Sequence, residues 1–278
     1  MSRCLVGSEM CIRDRSSPAF RVMQIQHVAN STLNGFTAYL QVPKALFRYQ
    51  LWHFLILPGA ISLLLSLVLV TVIYFAAGGI SGWIDGLVRI PWEWLDKTVT
   101  ITTAILTSLV LVAGFVFIHK HLALILLAPF LGTIAEETLK AVKGKDFVKT
   151  SLSVAQSFAR SARINLQYIL RELLANILFL ACGFVPVVGS LISAIGMFLT
   201  QSRFLGYGLM DFPLENRGLS LVDSDAFVKE RKSLSIGLGS GYLLLMMIPF
   251  VGWMFAPTLG TIAGTLKAIE ELEKDFQS

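Results

Sequence analysis

LWHFLILPGAISLLLSLVLVTVIYFAA, residues 51–77, is the strongest indication of the class of this fold. From Phe54 onward it holds no charged residue, and a helix rising 1.5 Å per residue makes it long enough to cross about 30 Å of hydrocarbon. Pro58 falls in its early part, where a missing backbone N–H is less harmful than in the middle. The stretch predicts a transmembrane helix over residues 54–77.

The composition of the whole chain agrees with a membrane protein. Of its 278 residues 55% are hydrophobic and 15% are charged, and the mean hydropathy is +0.70, whereas about a quarter of the residues in soluble domains are charged. Further uncharged runs occupy residues 98–118, 173–202 and about 233–266. We therefore expect an all-α integral membrane protein.

The first fifteen residues, MSRCLVGSEMCIRDR, are polar and unlike the rest of the chain. Their SEMCIRDR part resembles the translation of a sequencing adapter, so we expect residues 1–15 to be a non-native leader and residues 16–278 to form one membrane domain. Cys4 and Cys11 belong to the leader. Cys182 then stands alone in an apolar run, so neither a disulfide framework nor a cysteine metal site is expected.

The second span is predicted over residues 98–118 and ends at HKH, residues 119–121. His119 and His121 point to different faces of a helix, which favours a polar cap at the membrane interface over a shared metal site. Residues 136–172 carry seven lysines and arginines, and residues 78–97 carry two. By the positive-inside rule both termini are expected in the cytoplasm.

An internal repeat marks the second half of the chain. GFVPVVGSLISAIG at residues 183–196 and MIPFVGWMFAPTLG at residues 247–260 share a P-x-V-G core near the middle of an apolar run. Each half of a broken run reaches only roughly 20–25 Å, short of a full crossing. We expect two re-entrant, hemi-penetrating hairpins over residues 173–202 and 233–266, with kinked through-spans as the alternative. The expected helix breaks are Pro186, Gly189, Pro249, Gly252 and Pro257.

The polar stretch LMDFPLENRG, residues 209–218, lies between the two repeats. Pro213 disfavours helix at Phe212, the carboxylate of Asp211 can bond a nearby backbone N–H, and Gly218 permits a positive φ. The pattern predicts a tight structural corner. Alternatively, Asn216 and Arg217 present hydrogen-bond donors at the mouth of a solute pathway.

Arg203 closes a long run without charge. Either its side chain reaches the lipid headgroups, or it faces the protein interior and needs a partner such as Asp211 or an anion. The cationic residues between Lys140 and Arg171 predict a loop that contacts anionic membrane lipid, with an electrostatic funnel for an anion as the alternative.

Catalytic and cofactor motifs are missing from the sequence: it contains no H-E-x-x-H, C-x-x-C, G-x-S-x-G or Walker pattern. We therefore expect no enzyme activity, no cofactor and no metal, and the charge pattern does not indicate nucleic-acid binding. The GLGSG at residues 237–241 opens an apolar helix without a preceding strand. Gly237 and Gly241 instead predict a face on which two helices approach closely.

Four elements carry a family resemblance: LAPFLGTIAEE at residues 127–137, DFPLENRG at residues 211–218, ERK at residues 230–232 with glycine downstream, and IPFVGWMFAP at residues 248–257. On these elements the chain resembles the CysZ-type sulfate permeases and the related etoposide-induced membrane proteins. The resemblance implies two long transmembrane helices and two pairs of hemi-penetrating helices. It also implies an oligomeric, ATP-independent route for sulfate across the bacterial inner membrane.

One element departs from that family. Its glycine-leucine-arginine element before the first span, associated with sulfate binding, reads Gln50, Leu51 and Trp52 here. Arg48 is then the nearest replacement donor. The function implied is a permease for sulfate or another small anion, and the alternative is a non-transporting scaffold that binds lipids or proteins. The candidate pathway residues are Arg48, Arg203, Asn216 and Arg217.

Overall fold

The computed structural model describes residues 18–87, 107, 111–112, 114–150, 153–183 and 188–277. The regular structure in these ranges is entirely helical, which confirms the all-α class. The expected leader, most of the predicted second span and Pro186 lie outside the described residues.

The described α-helices are α1 (Pro18–Arg48), α2 (Ile56–Leu87), α3 (Gly114–Leu126), α4 (Ala128–Lys143), α5 (Val154–Cys182), α6 (Val188–Asn216), α7 (Leu221–Glu230), α8 (Lys232–Met246) and α9 (Val251–Gln277). Two short 3₁₀ helices, Leu51–Leu55 and Lys145–Phe147, precede α2 and follow α4.

Three described stretches are long and apolar enough to cross a membrane: Leu51–Ala77, α5 and α6. A fourth exists if α3 and α4, bent by 67° at their junction, count as one broken span. Pro129 lies at the start of α4, where it supplies no N–H to the preceding turn. The stretch Leu51–Ala77 covers the first predicted span, and α2 continues past residue 77 to Leu87.

The two repeats form helices of unequal length. The helices α5 and α6 have 29 residues each, about 43 Å, because both continue beyond the apolar run into polar sequence. Length alone therefore permits them to cross, unlike the short halves expected from the sequence. In contrast, α8 has 15 residues, roughly 22 Å, and is too short to cross by itself. Re-entry of the chain stays a prediction.

The second repeat breaks over residues 247–250, which include Pro249, whereas Gly252 is already the second residue of α9. Phe250 between them has φ 60, and an added Cβ at Gly252 would overlap the carbonyl oxygen of Leu245. Pro257 does not break the chain, because it lies inside α9. A helical proline leaves the carbonyl four residues earlier without its N–H partner. Ser62 of α2 donates to that carbonyl, on Trp253, at 2.5 Å.

The predicted corner begins later than expected. Phe212 and Pro213 are both helical, and α6 continues to Asn216 before the chain turns. The expectation that Pro213 removes Phe212 from a helix is therefore wrong, because the contacts that hold the end of α6 outweigh that local preference. The turn itself uses Gly218 at φ 79, as expected for that residue.

Glycine contacts place α8 at the centre of the described helices. Gly237 meets the backbone of Thr32 on α1, and Gly241 meets the ring of Tyr39. On the opposite side Gly239 lies against the backbone of Ser202 on α6. The predicted close helix approach at Gly237 and Gly241 is confirmed, and these contacts of α8 depend on missing side chains.

We expect Gly239→Ala to lower the thermal stability of the protein in detergent. The added methyl group overlaps the Ser202 carbonyl oxygen, so α6 and α8 must separate. Overpacking of this kind costs about 1–3 kcal/mol, which lowers the melting temperature by about 2–4 °C per kcal/mol in a domain of this size. Gly114→Ala is the control, since no atom of the described residues lies within 4 Å of a Cβ there. Equal melting temperatures for both variants would contradict the prediction.

Candidate functional site

The predicted corner is held by a bidentate ion pair. Arg160 of α5 donates to Asp211 of α6 at 2.9 and 2.7 Å. The same guanidinium donates to the Leu219 carbonyl and to Ser224 Oγ, both at 2.9 Å. Asp211 is therefore the partner of Arg160 rather than of Arg203, and the pair joins α5 and α6 to the start of α7.

The end of the corner contacts the segment that follows α4, which is predicted to lie in the cytoplasm. Asn216 donates its side-chain N–H to the Gly132 carbonyl at 2.9 Å. Its own carbonyl accepts from the backbone N–H groups of Lys149 and Thr150 at 3.0 and 3.1 Å. The Arg217 guanidinium lies 3.9 Å from the ring centroid of Phe147 and donates to the carbonyl of that residue. These contacts give both candidate pathway residues a structural role.

A small cavity of about 70 Å³ lies beside Asn216. Its charged lining residue is Glu136, and Ser157 and Thr133 supply hydroxyl groups. A carboxylate repels an anion, so this cavity does not suit one.

A larger cavity, which we call the basic cavity, lies between α5, α6, α7 and α8 and has a volume of about 160 Å³. Each of the four helices contributes polar side chains to it. Its charged lining residues are Arg171, Arg203, Lys229, Lys232 and Asp225. Cationic side chains therefore outnumber acidic ones four to one in the described lining, and Arg203 is the candidate pathway residue that belongs to it.

Helical spacing explains why these side chains meet. Tyr168 and Arg171 are three residues apart on α5, and Arg203 and Tyr207 are four apart on α6, so each pair shares one helix face. Ser235 on α8 donates to the backbone carbonyl of Arg203 at 2.9 Å, which ties α6 to α8 beside the cavity. The aromatic rings of Tyr168 and Tyr207, with centroids 4.7 Å apart, form one wall.

Asp225 is paired within the basic cavity. It accepts a hydrogen bond from Tyr168 at 2.8 Å and forms an ion pair with Lys229. Partial burial acts to raise the pKa of Asp225, but the bonds from Lys229 and Tyr168 outweigh it and hold the pKa below its usual value. The carboxyl group is therefore ionised at neutral pH.

The remaining cations of the basic cavity form no direct ion pair in the described part of the chain, although the charge of Arg171 acts on Asp225 from a longer distance. Arg171, Arg203 and Lys232 form no salt bridge with any residue that the structure describes. Arg171 and Arg203 lie 5.6 and 5.9 Å from the ring centroids of Tyr168 and Phe204. Unpaired guanidinium groups over aromatic rings are available to bind an anion.

The HKH segment is buried, contrary to the predicted interfacial cap. His119 and Lys120 have no exposed surface, and His121 retains 6%. His119 Nε2 lies 2.8 Å from Ser66 Oγ on α2. Lys120 forms an ion pair with Glu172 of α5, which is also fully buried. The expectation was wrong because the partner residues come from distant parts of the chain.

His121 completes this polar network. Its Nε2 lies 3.1 Å from Glu172 Oε2, and its Nδ1 lies 3.0 Å from Asn165 Oδ1. Glu172 thus serves Lys120 and His121 together and joins α3 to α5. A signal in the sequence was available: HKH is followed directly by apolar LALILLA, and charged groups flanked by apolar sequence on both sides generally face a partner inside the protein.

Arg48 lies apart from the basic cavity. Its side chain is exposed at the end of α1, 5.5 Å from the ring centroid of Tyr49. The structure therefore does not bring Arg48, Asn216 or Arg217 into the lining that contains Arg203. Sequence reasoning missed Lys229 and Lys232 and considered Arg171 only among the cations of an electrostatic funnel, because their common cavity depends on how four helices pack.

Comparisons with known proteins agree on one family. The family model described as "Sulfate transporter CysZ/Etoposide-induced protein 2.4" matches residues 38–257. A protein of Pseudomonas fluorescens strain Pf-5 named "Sulfate transporter CysZ" is 30% identical over 210 residues, covering 73% of this chain and 81% of its own. A protein of the same name from Pectobacterium atrosepticum is 23% identical over 255 residues, covering 91% and 90%.

Proposed function

The chain belongs to the sulfate transporter CysZ and etoposide-induced protein 2.4 family, and from this membership we propose that it is an ATP-independent permease that passes sulfate across the bacterial inner membrane. Its relatives are named as transporters, which favours transport over enzyme activity. The lysine and arginine distribution supports an orientation with both termini in the cytoplasm.

The basic cavity is the observation that carries the proposal. A dianion that leaves water needs charge-assisted hydrogen-bond donors, and Arg171, Arg203 and Lys232 supply them without a competing salt bridge among the described residues. The volume of about 160 Å³ is roughly ten times the ~15 Å³ that one water requires, so a small oxyanion fits. We assign sulfate binding to this cavity, with Arg203 as its central contact.

The departure at residues 50–52 supports this choice of cavity. Gln50 adopts φ 55 and ψ 35, a left-handed conformation that glycine adopts most readily. The backbone shape suited to the family's glycine is therefore present, but Trp52 stands in place of the arginine and is 59% exposed. Since no arginine is present there, the donors for sulfate must come from elsewhere, and Arg48 is at most an outer contact.

A non-transporting scaffold is not favoured. Such a protein has no need for a basic cavity between its helices. The apolar side chains that α5 and α6 expose are suited to lipid or to a second copy of the chain. On α5 they include Leu166, Leu170, Leu174 and Leu178, and on α6 Leu191 and Ile195. A homo-oligomer in contact with membrane lipid is part of the proposal.

We expect the purified protein, reconstituted into liposomes, to accumulate labelled sulfate down an imposed gradient. Uptake is expected to saturate with sulfate concentration and to proceed without ATP. Empty liposomes and liposomes that hold an unrelated membrane protein are the controls. The proposal is wrong if sulfate flux does not exceed that of empty liposomes under either an inward or an outward gradient.

A further inference from the structure

Asp225 is the one acidic side chain in the described lining of the basic cavity. It occupies two of the donors that the cavity presents, because Tyr168 donates to it at 2.8 Å and Lys229 pairs with it. Its side chain keeps 29% of its surface exposed, so the carboxylate is reachable from water. The cavity therefore already contains an anion that belongs to the protein.

The helix that carries Asp225 is short and well defined. The ten residues of α7 begin after Ser220, whose Oγ accepts from the N–H of Asp223 at 3.2 Å. Lys229 lies four residues after Asp225 on the same face, so the two side chains meet within one turn. Tyr168 reaches them from α5. The pairing is thus built from two helices rather than from a mobile loop.

Resting on the proposed function, we propose that Asp225 competes with bound sulfate for Lys229 and Tyr168 and keeps sulfate affinity low enough for release. A permease must bind its solute strongly enough to admit it and weakly enough to let it leave. A fixed carboxylate in the same cavity repels an entering anion and shares its donors. When sulfate leaves, Lys229 and Tyr168 return to Asp225, so neither donor is left unpaired.

The proposal predicts a dependence on the charge of the anion. Coulomb repulsion from one carboxylate is twice as large for a dianion as for a monoanion at the same position. Removing the charge of Asp225 therefore raises the affinity for both anions. The factor for sulfate is the square of the factor for nitrate. A change that merely loosens the packing of the cavity would weaken the binding of both anions by a similar factor.

The test is equilibrium binding by purified protein in detergent, with sulfate and nitrate as separate ligands in titration calorimetry. Asp225→Asn is expected to bind sulfate about tenfold more tightly and nitrate about threefold more tightly than the wild type. Efflux from liposomes preloaded with saturating sulfate is expected to slow severalfold. Glu230→Gln is the matched control on α7: its carboxylate is outside the cavity lining and is 76% exposed, so binding stays unchanged.

The outcomes separate this inference from the proposed function. If the wild type binds neither anion, the proposed function fails and the inference fails with it. The inference alone fails if the wild type binds sulfate and Asp225→Asn binds it no more tightly. It also fails alone if Asp225→Asn raises the affinity for sulfate and for nitrate by the same factor. Tyr168→Phe gives a second measurement that leaves the charge in place. Loss of the hydroxyl donor is expected to weaken sulfate binding severalfold, and unchanged binding would also overturn the inference.

Discussion

Arg203→Gln is expected to reduce sulfate uptake into liposomes by about tenfold to a hundredfold. The guanidinium lines the basic cavity and forms no salt bridge within the described chain, so its charge is available to the anion. A hydrogen bond to a charged group contributes about 1.5–3 kcal/mol, and each 1.4 kcal/mol is about a factor of ten. Glutamine keeps a donor but loses the charge and the bidentate geometry.

The control for Arg203→Gln removes the same charge outside the cavity. Arg163 is exposed on α5 and does not line the basic cavity, so Arg163→Gln is expected to retain wild-type uptake. Arg203→Lys keeps the charge and loses the planar guanidinium group. Its sulfate uptake is expected to lie between that of Arg203→Gln and that of Arg163→Gln. If Arg203→Gln and the wild type show equal sulfate uptake at matched protein content, Arg203 does not belong to the sulfate site.

The largest loss of stability is expected for Glu172→Ala. Glu172 is fully buried and accepts from both Lys120 and His121. Its removal leaves the ammonium group of Lys120, which is itself buried, without a counter-charge. Breaking a buried ion pair on one side costs about 3–5 kcal/mol. We therefore expect a much lower melting temperature in detergent and a smaller fraction of monodisperse protein.

A double substitution separates the charge effect from packing. In Lys120→Met with Glu172→Leu both charges leave together, and apolar replacements of similar volume are often neutral or stabilising. The double variant is therefore expected to melt well above Glu172→Ala. Glu230→Gln, which removes a largely exposed carboxylate, is expected to melt like the wild type. If Glu172→Ala also melts like the wild type, the buried pair does not stabilise the fold.

Local signals were sufficient wherever a property depends on adjacent residues. Residues 54–77 lie in a helical stretch of membrane length because an uninterrupted apolar run has one favourable environment. Gly237 and Gly241 allow close packing because they have no side chain, whichever helix lies opposite. Gly218 has the positive φ that its place in the predicted corner indicated.

Local signals failed where a distant partner decides the outcome. Pro213 has a preference against helix at Phe212, yet the Arg160–Asp211 pair and the bonds of Asn216 hold α6 helical to its end. HKH was predicted as an interfacial cap because it ends an apolar run and its two histidines point to different helix faces. Its partners, Glu172 and Asn165, are more than forty residues away.

The order of the amino acids was enough to identify an all-α membrane protein of the CysZ and etoposide-induced protein family, because apolar run length and short motifs are properties of contiguous residues. It also singled out Arg203. What Arg203 faces depends on the packing of the helices, since Arg171, Lys229 and Lys232 come from three other helices. A charge acquires its role from the charges within a few ångströms of it, and residues far apart in the chain reach that distance only when the helices pack together.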